Sequence, residues 1–187
     1  MSTPQRMNPI AELTRLGWAI EKRHVQQFQL PTEISARHPQ LPTALLHFLG
    51  SLVSCLNPTE TAWFLCEADF HNTDASAFRW NEWELISLES AGDDCALQSE
   101  IRSFWDHHFP FMLSVTNGYS YYAIDTSPAH FGRVVMGLEP EFEEVDVVAE
   151  SFEQFLAQLT AENIQSKRKG CKPHHVQHNR GTERKLF

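Results

Sequence analysis

Three clusters along this chain contain residue types that could do chemistry. Asp106-His107-His108 joins a carboxylate to two imidazoles, donor types that zinc accepts. Adjacent side chains point to opposite faces of a strand, or lie about 100° apart on a helix, so His107 and His108 do not converge easily on one ion. They read as a polar approach to the strand that begins at Phe109. Near the end of the chain, Cys171, His174, His175 and His178 place four zinc-type donors close together. Structural zinc sites usually set two ligand pairs across a longer loop. Here Lys167, Arg168, Lys169 and Lys172 also crowd the donors with charge that opposes a cation. These four are candidates for opportunistic metal binding, and no resident cofactor is expected.

The third cluster is the acidic segment 139–146. Glu139, Glu141, Glu143, Glu144 and Asp146 surround Phe142, and Pro140 restricts the backbone among them. Alone, this could be a solvated loop. As a recognition surface it would attract a basic protein over long range, with an exposed Phe142 as an aromatic anchor. Trp80 and Trp83 stand three apart and share a face if their segment is helical; they are either core or a second anchor, and core is the simpler reading. The partner-binding candidates are therefore the residues of this loop together with these two tryptophans.

Motifs for turnover are missing. The chain has no GxxxxGK(S/T), no GxGxxG after a strand, no GxSxG and no HExxH. Cys55, Cys66 and Cys95 have no His or Asp partner marked by spacing and read as small apolar residues. No catalytic residue is assigned, and no enzyme is expected.

Charge divides the chain. Residues 166–187 hold four Lys and three Arg against one Glu, a net +6, whereas the whole 187-residue chain carries −9; residues 1–165 therefore carry −15. An acidic body repels nucleic acid and attracts basic partners. Residues 1–165 are read as one domain and 166–187 as a basic, flexible tail that Gly170, Pro173 and Gly181 keep out of any pattern. No apolar run approaches the ~20 residues of a membrane span, and residues 1–17 lack the apolar stretch of a secretory signal. Four cysteines without a framework spacing suit a reducing compartment, so a cytoplasmic protein is expected.

The elements that must position these groups follow from periodicity. Asn8-Pro9 caps a helix whose apolar face runs through Ile10, Leu13, Leu16, Ile20, His24 and Phe28. Residues 30–40, with Pro31 and Pro39, read as a connector, 42–56 as a second amphipathic helix, and 61–68 as a central strand. Segments 80–90 and 97–105 read as helices. Alternating runs 109–115 and 119–124 flank Asn117-Gly118, which predicts a β-hairpin with a type I′ turn, and a third strand covers 133–137. Ser151 and Gln154 form a capping box ahead of a helix bearing Phe152, Phe155, Leu156 and Leu159.

Read in order, these features resemble the SUKH superfamily, the Smi-one/Knr-four-like domains of bacterial immunity proteins and fungal cell-wall regulators. The likeness rests on Phe109-Pro110 at a strand head, the Gly118 turn and an aromatic strand ending in Asp125. It continues with Gly132 opening a strand with Val134 and Val135, and the closing Ala-Glu-Ser-Phe-Glu-Gln-Phe-Leu of 149–156. Upstream, Leu41-Pro42 precedes Leu45, Phe48 and Leu49, so the likeness spans 41–159. The resemblance implies an α+β fold, with a twisted, mainly antiparallel sheet and helices packed against it. It also implies a non-enzymatic interaction domain, an immunity protein that neutralises a cognate toxin, often a nuclease with a basic cleft. A Smi-one/Knr-four-type regulatory scaffold is the alternative, and a small metal-dependent hydrolase is a more distant one.

Overall fold

The computed structural model describes residues 8–25, 28–72, 74 and 78–169. Among these residues, seven strands form one antiparallel sheet whose spatial order is the chain order: β1 (Ala19–Lys22), β2 (Leu52–Leu56), β3 (Ala62–Phe64), β4 (His108–Ser114), β5 (Ser120–Asp125), β6 (Val134–Leu138) and β7 (Val145–Ala149). Around it lie α1 (Pro9–Arg15), α2 (Thr32–Arg37), α3 (Thr43–Gly50), α4 (Glu67–His71), α5 (Glu82–Ser90), α6 (Cys95–Trp105) and α7 (Phe152–Lys169). The fold is the α+β arrangement expected from the sequence.

Both faces of the sheet centre are covered. Successive strand residues point to opposite faces. Tyr122 and the β4 residue Phe111 accordingly meet Phe155 of α7, while Tyr121 packs against Trp105 of α6 at 4.8 Å between ring centroids. This is why β4 is buried along most of its length and reads as a continuous apolar run. A wide aromatic cluster, including Trp18, Phe48, Phe64, Phe111 and Phe152, binds the α3/α7 layer to the sheet.

Several local signals act as read. The Asn8 side chain accepts the Ile10 and Ala11 amides at 3.1 and 3.3 Å, with Pro9 at the first helical position. Ser151 Oγ accepts the Gln154 amide at 3.2 Å, and the Gln154 side chain accepts from the Glu150 amide rather than from Ser151 itself. Phe152, Phe155 and Leu156 are buried and Leu159 is half-buried. The helix continues to Lys169, beyond Gln165. Residues 170–187, with Cys171, His174, His175 and His178, lie outside the described residues.

Other expectations are corrected. The helix expected to reach Phe28 stops at Arg15, Gly17 takes φ +94°, and Ala19–Lys22 becomes an edge strand paired with β2. The second expected helix divides in the same way: α3 ends at Gly50 and Leu52–Leu56 turns into β2. Because β2 buries Leu52 and Cys55, three apart, its apolar pattern imitates a helical period and masks the break. The connector 30–40 contains the short α2. The strand expected over 61–68 is three residues long, third of seven in the sheet, and gives way to α4.

The hairpin is present, but its turn is not type I′. Ser114 pairs with Ser120, which leaves a loop over 115–119; Gly118 alone in it has positive φ, at +98°. Val115 explains the wider loop, since its amide donates to Thr61 O at 2.7 Å and so follows β3 rather than β5. Gly118 is still constrained, because a Cβ there would sit 2.7 Å from Glu139 Oε1. Among the described residues no helix is long and apolar enough to cross a membrane.

Candidate partner-binding surface

The acidic residues between β6 and β7 do not form a loose loop. Strands β6 and β7 pair antiparallel and fix its two ends. Within it, the Glu139 amide donates to Tyr119 O at 2.9 Å and the Glu144 amide to Glu141 O at 3.1 Å. Tyr121 donates its hydroxyl to Phe142 O at 2.6 Å, and Trp105 donates Nε1–H to Glu143 Oε1 at 2.7 Å. Burial and the Glu143 charge together push the Tyr121 phenol well above its ordinary pKa, so it remains a donor at any physiological pH. The Glu139, Glu141, Glu144 and Asp146 carboxylates are left exposed around an open groove of about 320 Å³ that also touches Leu138 and Val145.

Phe142 is not the exposed anchor expected from the sequence. It is 3% exposed and stacks on Trp83 at 5.1 Å with a 15° interplanar angle. Trp83, itself 1% exposed, also stacks on Tyr119. Trp80 and Trp83 do not share a helical face, since Trp80 precedes α5 and packs half-buried against Phe70 and His38. The physical reason is local. Three hydrogen bonds, from the Glu139 amide to Tyr119 O and from Tyr121 and Trp105 to Phe142 O and Glu143, tie the loop to the body, and stacking on Trp83 removes the Phe142 ring from water. Glu143 is likewise spent on Trp105. Of the residues expected at the surface, Glu139, Glu141, Glu144 and Asp146 remain outward-facing.

The histidine pair sits at the end of α6. His107 Nδ1–H donates to Ser103 O at 2.9 Å and His108 Nδ1–H to Phe104 O at 2.8 Å, with the His108 ring stacked on Phe104. Each ring is held by the turn beneath it, and no group of three metal-ligating side chains forms among the described residues. Cys55 and Cys66 are buried, which pushes both thiols up to about 12, and Cys95 is exposed.

Sequence reasoning missed a polar clamp beside this surface. Arg37 at the end of α2 makes a bidentate pair with buried Glu84 of α5, at 2.7 and 2.8 Å, and reaches Asp106 at 2.7 Å. Burial works to lower the Arg37 pKa, but the hydrogen bonds and charges of Glu84 and Asp106 outweigh it and leave it raised. Its partners are far away along the chain, so no spacing signal could have revealed the clamp. A larger cleft of about 860 Å³ opens between α1, α3 and α7. Its charged lining is mixed, Arg23 and Glu153 with two histidines, so it lacks the single sign of charge found around the β6–β7 loop.

Comparison with curated proteins finds no significant match, and neither does comparison with solved structures. A family model described as the SMI1 / KNR4 family (SUKH-1) matches residues 36–158, from α2 into α7. That stretch takes in β2 to β7 and the acidic loop, and the chain therefore belongs to the SMI1 / KNR4 family (SUKH-1).

Proposed function

We propose that this SUKH-1 chain is a non-enzymatic protein-binding domain, an immunity protein that neutralises a cognate toxin with a basic active surface such as that of a nuclease. One observation carries the reading: Glu139, Glu141, Glu144 and Asp146 stand exposed on a loop held by β6 and β7, by Tyr121 at the Phe142 carbonyl and by Trp105 at the Glu143 carboxylate. Carboxylates held in place can match a cluster of cations without the entropy cost of ordering a loose loop on binding. Their field also speeds encounter with a basic partner.

The test is co-expression with a candidate toxin taken from a neighbouring reading frame, together with association kinetics of the purified pair. Replacing Glu139, Glu141 and Glu144 with Gln should slow association about ten-fold or more while leaving the melting temperature close to the parent's, as exposed substitutions usually do. Glu143 is kept, because it holds Trp105. Full protection of cells with unchanged association would move the binding face away from this loop.

A further inference from the structure

The acidic loop does not stand alone. Behind it, a second groove of about 370 Å³ runs between the loop, α5 and α6. Its floor is apolar: Phe142 and Ile101 are buried, Ile86 is half-buried, and Leu97 leaves 43% of its surface exposed on the first turn of α6. Glu100, Glu141, Glu143 and Glu144 supply the charged part of its lining, and among the described residues no Lys, Arg or His lines it. A pocket of this size, at the small end of the ~300–1,000 Å³ range of ligand sites, suits one or two large side chains rather than an extended ligand.

Its walls are preformed. Phe142 is clamped between Trp83 and the Tyr121 hydroxyl. The start of α6 is capped by Asp94, whose carboxylate accepts the Ala96 and Leu97 amides at 3.1 Å each. Gln98 donates to Gly92 O at 2.6 Å and fixes the turn between α5 and α6. A groove that does not have to be ordered on binding retains more of its contact energy as affinity.

We infer that this groove is the docking slot for a segment of the basic partner that carries a large apolar side chain flanked by Lys or Arg. The inference rests on the protein-binding reading above and reverses its anchor: Phe142 does not insert into the partner but forms the floor on which the partner's side chain sits. An apolar floor selects the side chain, and a rim of carboxylates with no cation among the described residues selects its neighbours.

The probe is the fluorescein-labelled peptide KRLFRK, titrated into the full chain at low and high salt. Two controls accompany it: KRAARK, which lacks the apolar pair, and EELFEE, which reverses the charge. Binding of KRLFRK at least about ten-fold tighter than either control, with amide shifts centred on Ile86, Leu97 and Phe142, supports the slot. Leu97→Gln, an exposed change that spares the core, should then weaken KRLFRK about ten-fold and leave KRAARK unaffected. Equal binding of KRLFRK and KRAARK would overturn the slot while leaving an acidic recognition face. Self-association abolished by Leu97→Gln would give the groove to a second copy and overturn it. So would tighter KRLFRK binding by a Lys185→Glu full-length variant with KRAARK binding unchanged, which would give it to the chain's own basic segment. The toxin complex separates the two levels: a bound toxin indifferent to Leu97→Gln overturns only the slot, whereas a toxin neither bound nor neutralised overturns the protein-binding reading.

Discussion

His38 is 3% exposed between the Trp80 and Phe109 rings, and neither ring nitrogen has a hydrogen-bond partner among the described residues. Burial, reinforced by Arg37 and by His107 and His108 and only partly opposed by Asp106, lowers its pKa from 6.5 to about 4. The unfolded chain therefore takes up a proton between about pH 6.5 and 4 that the folded chain refuses, and stability falls as pH drops through that window. Between pH 7 and pH 5 this single group should cost about 2 kcal/mol. Urea unfolding at both pH values checks it: His38→Phe should show a smaller loss than the parent, and equal losses would mean that His38 does not titrate differently in the two states. Gly137 is a second residue whose role shows only in three dimensions. A Cβ there would lie 2.6 Å from the Tyr121 hydroxyl, which is itself tied to Phe142 O. Gly137→Ala should cost about 1–3 kcal/mol through overpacking, and chemical denaturation measures it. It should also increase amide exchange in the acidic loop, as Tyr121 is pushed off its carbonyl.

Elements were legible where their signals are local. The Asn8 cap, the Ser151 cap and the two apolar strand runs on either side of Gly118 involve neighbours in the chain, and they appear in the structure as read. Elements failed where two different structures share one apolar period. Leu13 and Leu16 lead into Ile20 at helical spacing, yet Ile20 pairs with Cys55 on an edge strand. Gly17 was the available signal: a helix that ends on a glycine in the left-handed region is common, and its φ of +94° separates α1 from β1. Gly17→Val places a β-branched residue in that conformation, with the nearest side-chain atom 3.5 Å away on Pro58, so the cost comes from the backbone rather than from a clash. We expect about 1–2 kcal/mol, or a melting temperature lower by roughly 2–8 °C for a chain of this length, measured by circular dichroism. A variant as stable as the parent would mean that the turn relaxes into another conformation.

At the scale of the whole molecule, charge is the property that the sequence carries without a fold. Residues 1–165 hold −15 wherever they sit, so association with a basic partner should slow steeply as salt rises. Stopped-flow association at several ionic strengths tests this, and a salt-independent rate would remove the electrostatic part of the proposal. Caps and apolar strand runs also determined the order of the closing elements, because each depends on contacts within a few residues. The identity of the surface was decided only in the folded chain. Phe142, apolar and set among carboxylates, looks exposed in the sequence; it is buried because Trp83 and Tyr121, distant along the chain, are brought against it. The groove beside it has the same origin, as it lies between the α5–α6 pair and the β6–β7 loop, which are distant along the chain. Sequence spacing encodes which side chains neighbour one another along an element, whereas a pocket is a relation between elements, set by packing that no local pattern records.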